Sequence, residues 1–194
     1  MTHLKRALCT LGAGAALLMT HTSHGFAATQ LPKAVSSCGL HIDAAFREGA
    51  PVDRFSITNK STPEWSITAV TVNLENSAGK LIFDTQDGGS GVEVFQPFRS
   101  AGGTAKLRWV SKLKDGGSLM TLDFNRFESK DSFTFSIDVD DTLKASDLGQ
   151  IRVTDSEMAG ATLTYVLRGP GGIITSAEAD FGPKANSTLK GRAC

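Results

Sequence analysis

Apolar and polar residues alternate along most of this chain, and helical periodicity is nearly absent. In the segment 133–140, the apolar side chains fall on one side of an extended chain, while threonine, serine and aspartate side chains fall on the other. Similar short runs, rich in β-branched and aromatic residues, recur about every 10 residues between turn-forming sequences. The alternation predicts strands at residues 40–46, 54–58, 65–74, 80–83, 91–98, 105–110, 119–124, 132–139, 150–154, 161–167 and 173–181.

Such a series of short strands predicts an all-β fold, a single-domain antiparallel β-sandwich of jelly-roll or immunoglobulin-like type with roughly ten strands. One segment, residues 142–149, has the composition of a helical turn but is equally compatible with a loop. The polar C-terminal segment 182–194 is predicted to be a loop. No internal repeat and no linker rich in proline, glycine or serine divides the chain.

The N-terminal segment has the features of an export signal. Two basic residues precede an apolar stretch, residues 7–19, and small residues follow at Gly25 and Ala27, where a signal peptidase requires them. The apolar stretch is shorter than the roughly 20 residues of a membrane-spanning helix, and no second stretch follows. We therefore expect residues 1–27 to be a signal peptide and residues 28–194 to be a secreted or periplasmic domain without a membrane span.

The charge balance and the motif content limit the classes of function. Without the signal peptide the chain has 18 basic and 20 acidic residues, a net charge of −2, and no basic cluster, which argues against nucleic acid as a partner. His41 would be the only histidine left for a Ser-His-Asp or Cys-His catalytic group. HExxH, paired CxxC and P-loop motifs are all missing from the sequence. We therefore predict that the protein is not an enzyme.

Two cysteines remain after removal of the signal peptide, Cys38 and Cys194. In an oxidising compartment they are expected to form one disulfide. This bond would close a loop of 157 residues. In the chain-entropy model so long a loop stabilises the fold by roughly 4–5 kcal/mol. The alternative is a reactive thiol at Cys194.

Three acids, Asp138, Asp140 and Asp141, are crowded at the end of a predicted strand. Calcium binds six to eight hard oxygen atoms from carboxylates, carbonyls and waters in flexible geometry, so a strand end followed by a loop is a candidate calcium site. The EF-hand spacing is missing, and other loops would have to contribute ligands. The candidates for this contribution are Asp84, Asp87, Asp155 and Glu157.

Two other interpretations of these acids remain open. They are also compatible with solvated acids of an edge strand or turn, where aspartate is common. Alternatively, Asp138 and Asp140 would lie about 7 Å apart on one face of a strand. This spacing is within the range of roughly 6.5–9.5 Å between the carboxyl groups of inverting glycosidases, so a small glycan-cleaving enzyme is a third hypothesis.

The aromatic residues predict either a sugar-binding surface or core packing. Trp65, Trp109 and Tyr165 are candidates for a stacking platform of a carbohydrate-binding module, with Trp65 exposed at the start of a strand. Trp109 shares a strand face with Leu107 if alternation is strict, and it is therefore predicted to be buried.

Four segments together resemble a known family: "FREGAPVDRFSITN" (46–59), "GVEVFQPF" (91–98), "FSIDVDDT" (135–142) and "SEMAGATLT" (156–164). They are similar to exported bacterial proteins labelled "aggregation factor core", after the core protein of sponge particles that hold cells together in a calcium-dependent way. The resemblance implies a secreted β-sandwich that acts in adhesion or matrix association, and it connects Asp138, Asp140 and Asp141 with calcium.

The sequence thus predicts an exported, non-catalytic binding or adhesion module, assisted by calcium. Its expected partner is a cell-surface polysaccharide or protein, and self-association is a further expectation. The alternatives are the carbohydrate-binding module and the glycan-cleaving enzyme described above.

Overall fold

The computed structural model describes residues 37–49, 52–92, 94–146 and 148–192. Within these residues the chain forms twelve strands, one short helix and one 3₁₀ turn. The strands are β1 (His41–Arg47), β2 (Arg54–Asn59), β3 (Ser66–Asn73), β4 (Ile82–Asp84), β5 (Arg99–Gly103), β6 (Lys106–Val110), β7 (Leu119–Arg126), β8 (Ser132–Ser136), β9 (Asp138–Asp140), β10 (Thr162–Arg168), β11 (Ile174–Asp180) and β12 (Asn186–Lys190). The helix α1 spans Asp155–Met158, and the 3₁₀ turn spans Pro170–Gly172.

Two antiparallel sheets of five strands each make up most of the described chain. The first sheet has the order β12-β1-β2-β8-β5, and the second has the order β11-β10-β3-β7-β6. A separate ribbon of two strands is formed by β4 and β9. The architecture confirms the predicted all-β sandwich, and the described residues all belong to one compact unit, Ala34–Cys194. No helix among the described residues is long and apolar enough to cross a membrane.

The inward-facing residues of both sheets form one hydrophobic core, as strict alternation requires. Phenylalanines dominate its centre. Phe55 on β2 lies directly opposite Phe135 on β8, and their rings stack with centroids 5.0 Å apart. Phe46 and Phe98 pack against this pair from either side. Aromatic pairs of this kind contribute about 0.5–1.5 kcal/mol beyond the area that they bury.

Two predicted strands are wrong, and two observed strands were missed. Residues 91–98 and 150–154 form irregular structure where they are described, although their composition favours strands. The missed strands are β5 and β12, which contain few apolar residues and were read as turn or loop. At Gly103 in β5, an added Cβ would lie 2.2 Å from the carbonyl oxygen of Ser132. Glycine here therefore permits the close backbone approach that pairs β5 with β8.

The helical turn was predicted at the wrong place. Residues 142–149 contain no helix where they are described, whereas α1 follows Thr154. Thr154 Oγ1 accepts a hydrogen bond from the Glu157 backbone N–H at 3.2 Å, and Glu157 Oε2 accepts one from the Thr154 N–H at 2.8 Å. This reciprocal capping box stabilises the start of so short a helix.

The C-terminal strand brings the two ends of the described chain together. β12 pairs with β1, and beyond it the Arg192 N–H donates a hydrogen bond to Ser37 Oγ at 3.1 Å. Ser37 precedes Cys38, and Arg192 is two residues from Cys194. Cys194 lies outside the described residues, so the disulfide stays a prediction. Residues 1–27, the predicted signal peptide, also lie outside them.

Candidate metal centre

The acidic strand end lies where the chain changes its strand partners. β8 belongs to the first sheet, but β9 leaves that sheet and pairs with the short strand β4. Every residue from Ser136 to Asp141 is buried, so both faces of this segment are covered. The interpretation of these residues as solvated edge acids is therefore wrong for Asp138, Asp140 and Asp141. Alternation could not predict the burial of these three acids, because it results from the pairing of β9 with β4.

Three carboxylates converge on one face of the β4–β9 ribbon. Asp84 lies directly opposite Asp138 in the register, and Asp140 is two residues further along β9. One carboxylate oxygen from each of the three lies within 4.8 Å of the others. The residues are 3%, 7% and 1% exposed, respectively. Like charges opposite one another destabilise an antiparallel pair, and burial increases this cost.

Two oxygen atoms of this group have no partner. Asp140 Oδ2 accepts a hydrogen bond from the Val92 N–H at 2.7 Å. Asp140 Oδ1 and Asp138 Oδ2, however, are buried without any hydrogen bond. None of the three carboxylates forms an ion pair with a described lysine, arginine or histidine. Buried charges are normally paired or bound to metal, so this group lacks a positive counterpart within the described chain.

The pKa values reflect the same imbalance. Burial raises the pKa of Asp138 to about 7, and the charges of Asp140 and Asp84 add to the effect. Burial also raises the pKa of Asp140 to about 6, although the Val92 N–H opposes the shift. The pKa of Asp84 is raised as well, again chiefly by burial. A bound divalent cation would reverse these shifts, because it favours the ionised carboxylates.

The loop after β4 closes over the carboxylates and depends on a glycine. An added Cβ on Gly91 would lie 2.1 Å from Asp84 Oδ2 and 2.3 Å from Asp140 Oδ2, so only glycine lets the backbone approach both. Asp115 holds the loop in place by accepting hydrogen bonds from the N–H groups of Thr85 at 2.8 Å and Ser90 at 2.7 Å. The glycines of this loop were read only as turn signals.

Gln96 contacts both strands of the ribbon through its backbone. Its backbone N–H donates to the Asp84 carbonyl at 3.2 Å, and its own carbonyl accepts from the Asp138 N–H at 3.0 Å. The side-chain atom Oε1 is buried without a partner. Sequence analysis assigned Gln96 to a strand and gave it no role in the site.

Sequence analysis also missed Asp53, a fourth buried acid. Its carboxylate accepts hydrogen bonds from the N–H groups of Gly49 at 3.2 Å and Val139 at 3.1 Å. Burial raises the pKa of Asp53 to about 8, the two hydrogen bonds lower it, and the charge of Asp138 raises it further. Asp53 and Asp138 both line a cavity of about 260 Å³. A single acid in "PVDR" carries no local pattern that would reveal this role.

Other predicted ligands lie apart from the group of three. Asp141 is 2% exposed, and its charge raises the pKa of Asp140. It is not one of the three converging carboxylates. Its Oδ1 accepts a hydrogen bond from the Leu143 N–H at 2.9 Å instead. Asp87 and Asp155 are exposed. Glu157 is engaged in the capping box of α1, so its prediction as a metal ligand is wrong.

The separation of Asp138 and Asp140 also differs from the expected value. Their facing oxygen atoms lie within 4.8 Å, closer than the expected 7 Å and closer than the roughly 6.5–9.5 Å of inverting glycosidases. Asp138 lines the cavity described above, but Asp140 does not. The separation that the sequence predicted for an inverting glycosidase is therefore not observed.

The predicted stacking platform is wrong for Trp65 and Tyr165. Trp65 is 1% exposed, and its indole N–H donates a hydrogen bond to the Cys38 carbonyl at 2.8 Å. Tyr165 is fully buried on β10. Both rings belong to the core, because they point between the sheets, and neither can stack on a ligand. Trp109, predicted to be buried, is instead 55% exposed.

Comparison of the chain with protein-family models, with curated proteins and with solved structures found no match.

Proposed function

We propose that the protein is a calcium-binding, non-catalytic module that acts outside the cytoplasm on a cell-surface or matrix ligand. The observation that carries the calcium assignment is the group of Asp84, Asp138 and Asp140. These carboxylates are buried, lie within 4.8 Å of one another and have two oxygen atoms without partners. A cation between them would supply the positive charge that the surrounding described residues do not.

The donor atoms favour calcium over other metals. The group contains only carboxylates, and no described histidine or cysteine belongs to it. Hard oxygen donors of this kind suit calcium or magnesium rather than zinc or copper. Calcium accepts irregular geometry and backbone or water ligands, whereas magnesium requires a near-ideal octahedron. Carboxylates on two short strands, covered by a loop, fit the irregular geometry of calcium better than the octahedron of magnesium.

The proposed role is binding rather than catalysis. His41 forms a hydrogen bond with Asp43 at 3.1 Å on β1 and is not one of the groups that converge at the carboxylates. The export features of the sequence and the resemblance of four segments to exported bacterial proteins labelled "aggregation factor core" support an extracellular ligand. Calcium sites of extracellular modules have dissociation constants of roughly 10⁻⁴–10⁻³ M, which a site with three carboxylates would match.

Thermal unfolding tests the proposal. We expect millimolar calcium to raise the Tm of the metal-stripped protein by several degrees relative to a sample in EGTA. At 10 mM, calcium would be at about 10–100 times the Kd given above and would add about 1.4–2.7 kcal/mol. Each kcal/mol moves the Tm of a domain of this size by about 2–4 °C. Magnesium at the same concentration should have a smaller effect, and calcium should have none on the variant Asp138→Asn/Asp140→Asn. An unchanged Tm of the wild type in calcium would contradict the proposal.

A further inference from the structure

A β-bulge on the edge strand β6 turns two consecutive side chains to the outer face of the second sheet. Leu107 pairs with Phe124 and Val110 pairs with Leu122, both directed toward the core. Between them, Arg108 and Trp109 oppose the single residue Asp123, because the register shifts at this point. A bulge of this kind places two residues of one strand against one of its partner. The bulge explains why Trp109 is exposed although strict alternation buries it.

The exposed indole has a rigid polar neighbour. Arg108 donates two hydrogen bonds to Asp123, from Nε to Oδ1 at 2.6 Å and from Nη2 to Oδ2 at 2.7 Å. This bidentate contact fixes the planes of both groups beside the position that Trp109 occupies. The guanidinium retains further N–H donors, and each carboxylate oxygen retains a lone pair. The pair can therefore donate to one ligand oxygen and accept from an adjacent hydroxyl.

The same face continues along β7 with an alternation of polar and apolar groups. Asp123, Thr121 and Leu119 all point outward, since the residues between them are buried. Thr121 Oγ1 lies 2.9 Å from Thr71 Oγ1 on the adjacent strand β3. Leu119 is 56% exposed. From Asp123 to Leu119 the face extends about 14 Å along the strand, enough for a short oligosaccharide.

We propose that this face, defined by Trp109, Arg108, Asp123, Thr121 and Leu119, binds a neutral oligosaccharide. An indole offers an apolar surface to the C–H face of a pyranose ring, and the ion pair and threonine hydroxyls offer donors and acceptors to its hydroxyl groups. Within this face Arg108 is neutralised by its ion pair with Asp123, so the five residues carry no unpaired charge that would favour a polyanion.

A second copy of the chain is a less suitable occupant of this face. The bulge interrupts the regular ladder of β6, and bulges on edge strands protect them from pairing with another chain. The three carboxylates of the candidate metal centre belong to β4 and β9, and none of them is part of this face. We therefore expect sugar binding at this face without calcium, and the titration below includes both conditions.

Titration with neutral oligosaccharides tests the proposal. The probes are the hexasaccharides of the cello-, laminari-, xylo- and N-acetylated chito- series, each added to the protein in EGTA and in calcium. Binding is followed by calorimetry and by the fluorescence of exposed Trp109. We expect at least one probe to bind in both solutions. Trp109→Ala should weaken that binding about tenfold or more, because truncated tryptophan anchors carry large losses.

Two further variants separate stacking from general effects. Trp109→Phe keeps an aromatic surface and should retain most of the affinity. Ile174→Ala removes a side chain that is 54% exposed on β11, at the opposite edge of the same sheet, and should leave the affinity unchanged. Failure of all four probes to bind would overturn the proposal, as would equal affinity of the wild type and Trp109→Ala. A dimer in sedimentation that Trp109→Ala dissociates would assign the face to a second copy instead.

Discussion

Without calcium, the protein is expected to become less stable as the pH rises from about 5 to about 8. The folded-state pKa values of Asp53, Asp138 and Asp140 are about 8, about 7 and about 6, all above the value of 3.8 for an unperturbed aspartate. Between 3.8 and these values the folded state binds more protons than the unfolded state. The free energy of unfolding therefore falls with rising pH, and the loss is complete only above about pH 8.

The measurement is the Tm of metal-stripped protein at pH 5, 6, 7 and 8, at constant ionic strength. Calcium should flatten the dependence above about pH 6, because the ion stabilises the ionised carboxylates that are otherwise unfavourable. A Tm that is constant or increases over this range in the stripped protein would show that these acids ionise in the folded state at no cost.

Replacement of Asp140 by asparagine is expected to have opposite effects with and without calcium. In the stripped protein at pH 8, the variant should have a higher Tm than the wild type, because one of the mutually repelling buried charges is gone. The asparagine oxygen can still accept the hydrogen bond of the Val92 N–H, so the loop contact is kept. In calcium the order should reverse, since the variant lacks a carboxylate ligand for the ion.

Asp87→Asn is the matched control for this variant. Asp87 lies in the loop after β4 and loses the same charge, but it is exposed and is not one of the three converging carboxylates. Its free energy of unfolding should stay within about 0.5 kcal/mol of that of the wild type. Calcium should still raise its Tm as it does for the wild type. If Asp140→Asn destabilised the stripped protein, or if Asp87→Asn lost the calcium effect, the assignment of the site would be wrong.

Alternation predicted the strands that face the core on one side. β1, β2 and β7 alternate between buried and more exposed residues, and each was placed within two residues of its observed bounds. The predicted strand 132–139 merged two observed strands, β8 and β9. β5 and β12 could not be predicted in this way. They contribute backbone hydrogen bonds at sheet edges, and their side chains carry little apolar signal.

The bulge in β6 shows a second limit of alternation. One extra residue reverses the direction of every side chain beyond it, so Trp109 moved from the predicted core to the surface. The predicted exposure of Trp65 is wrong for a different reason. Trp65 follows a polar turn at the start of a strand, and such a position suggests an exposed side chain. Its ring is covered by the core, and its N–H is satisfied by the Cys38 carbonyl, a contact across 27 residues of sequence.

The metal centre was predictable only in part. The spacing of Asp138 and Asp140 placed both on one strand face, and Asp84 was recognised as an acid that another loop could contribute. The register that sets Asp84 opposite Asp138 depends on the pairing of two three-residue strands, which have no strong sequence signal. The roles of Gly91, Gln96 and Asp53 follow from tertiary contacts alone.

Equilibrium dialysis with calcium is the most direct test of the central claim. The account predicts one calcium ion bound per chain by the metal-stripped wild type, with a Kd of roughly 10⁻⁴–10⁻³ M, and competition that is much weaker for magnesium. The variant Asp84→Asn/Asp138→Asn should bind no calcium while keeping the circular dichroism of a folded β-protein. Absence of calcium binding by the wild type, or binding by the double variant equal to that of the wild type, would contradict it.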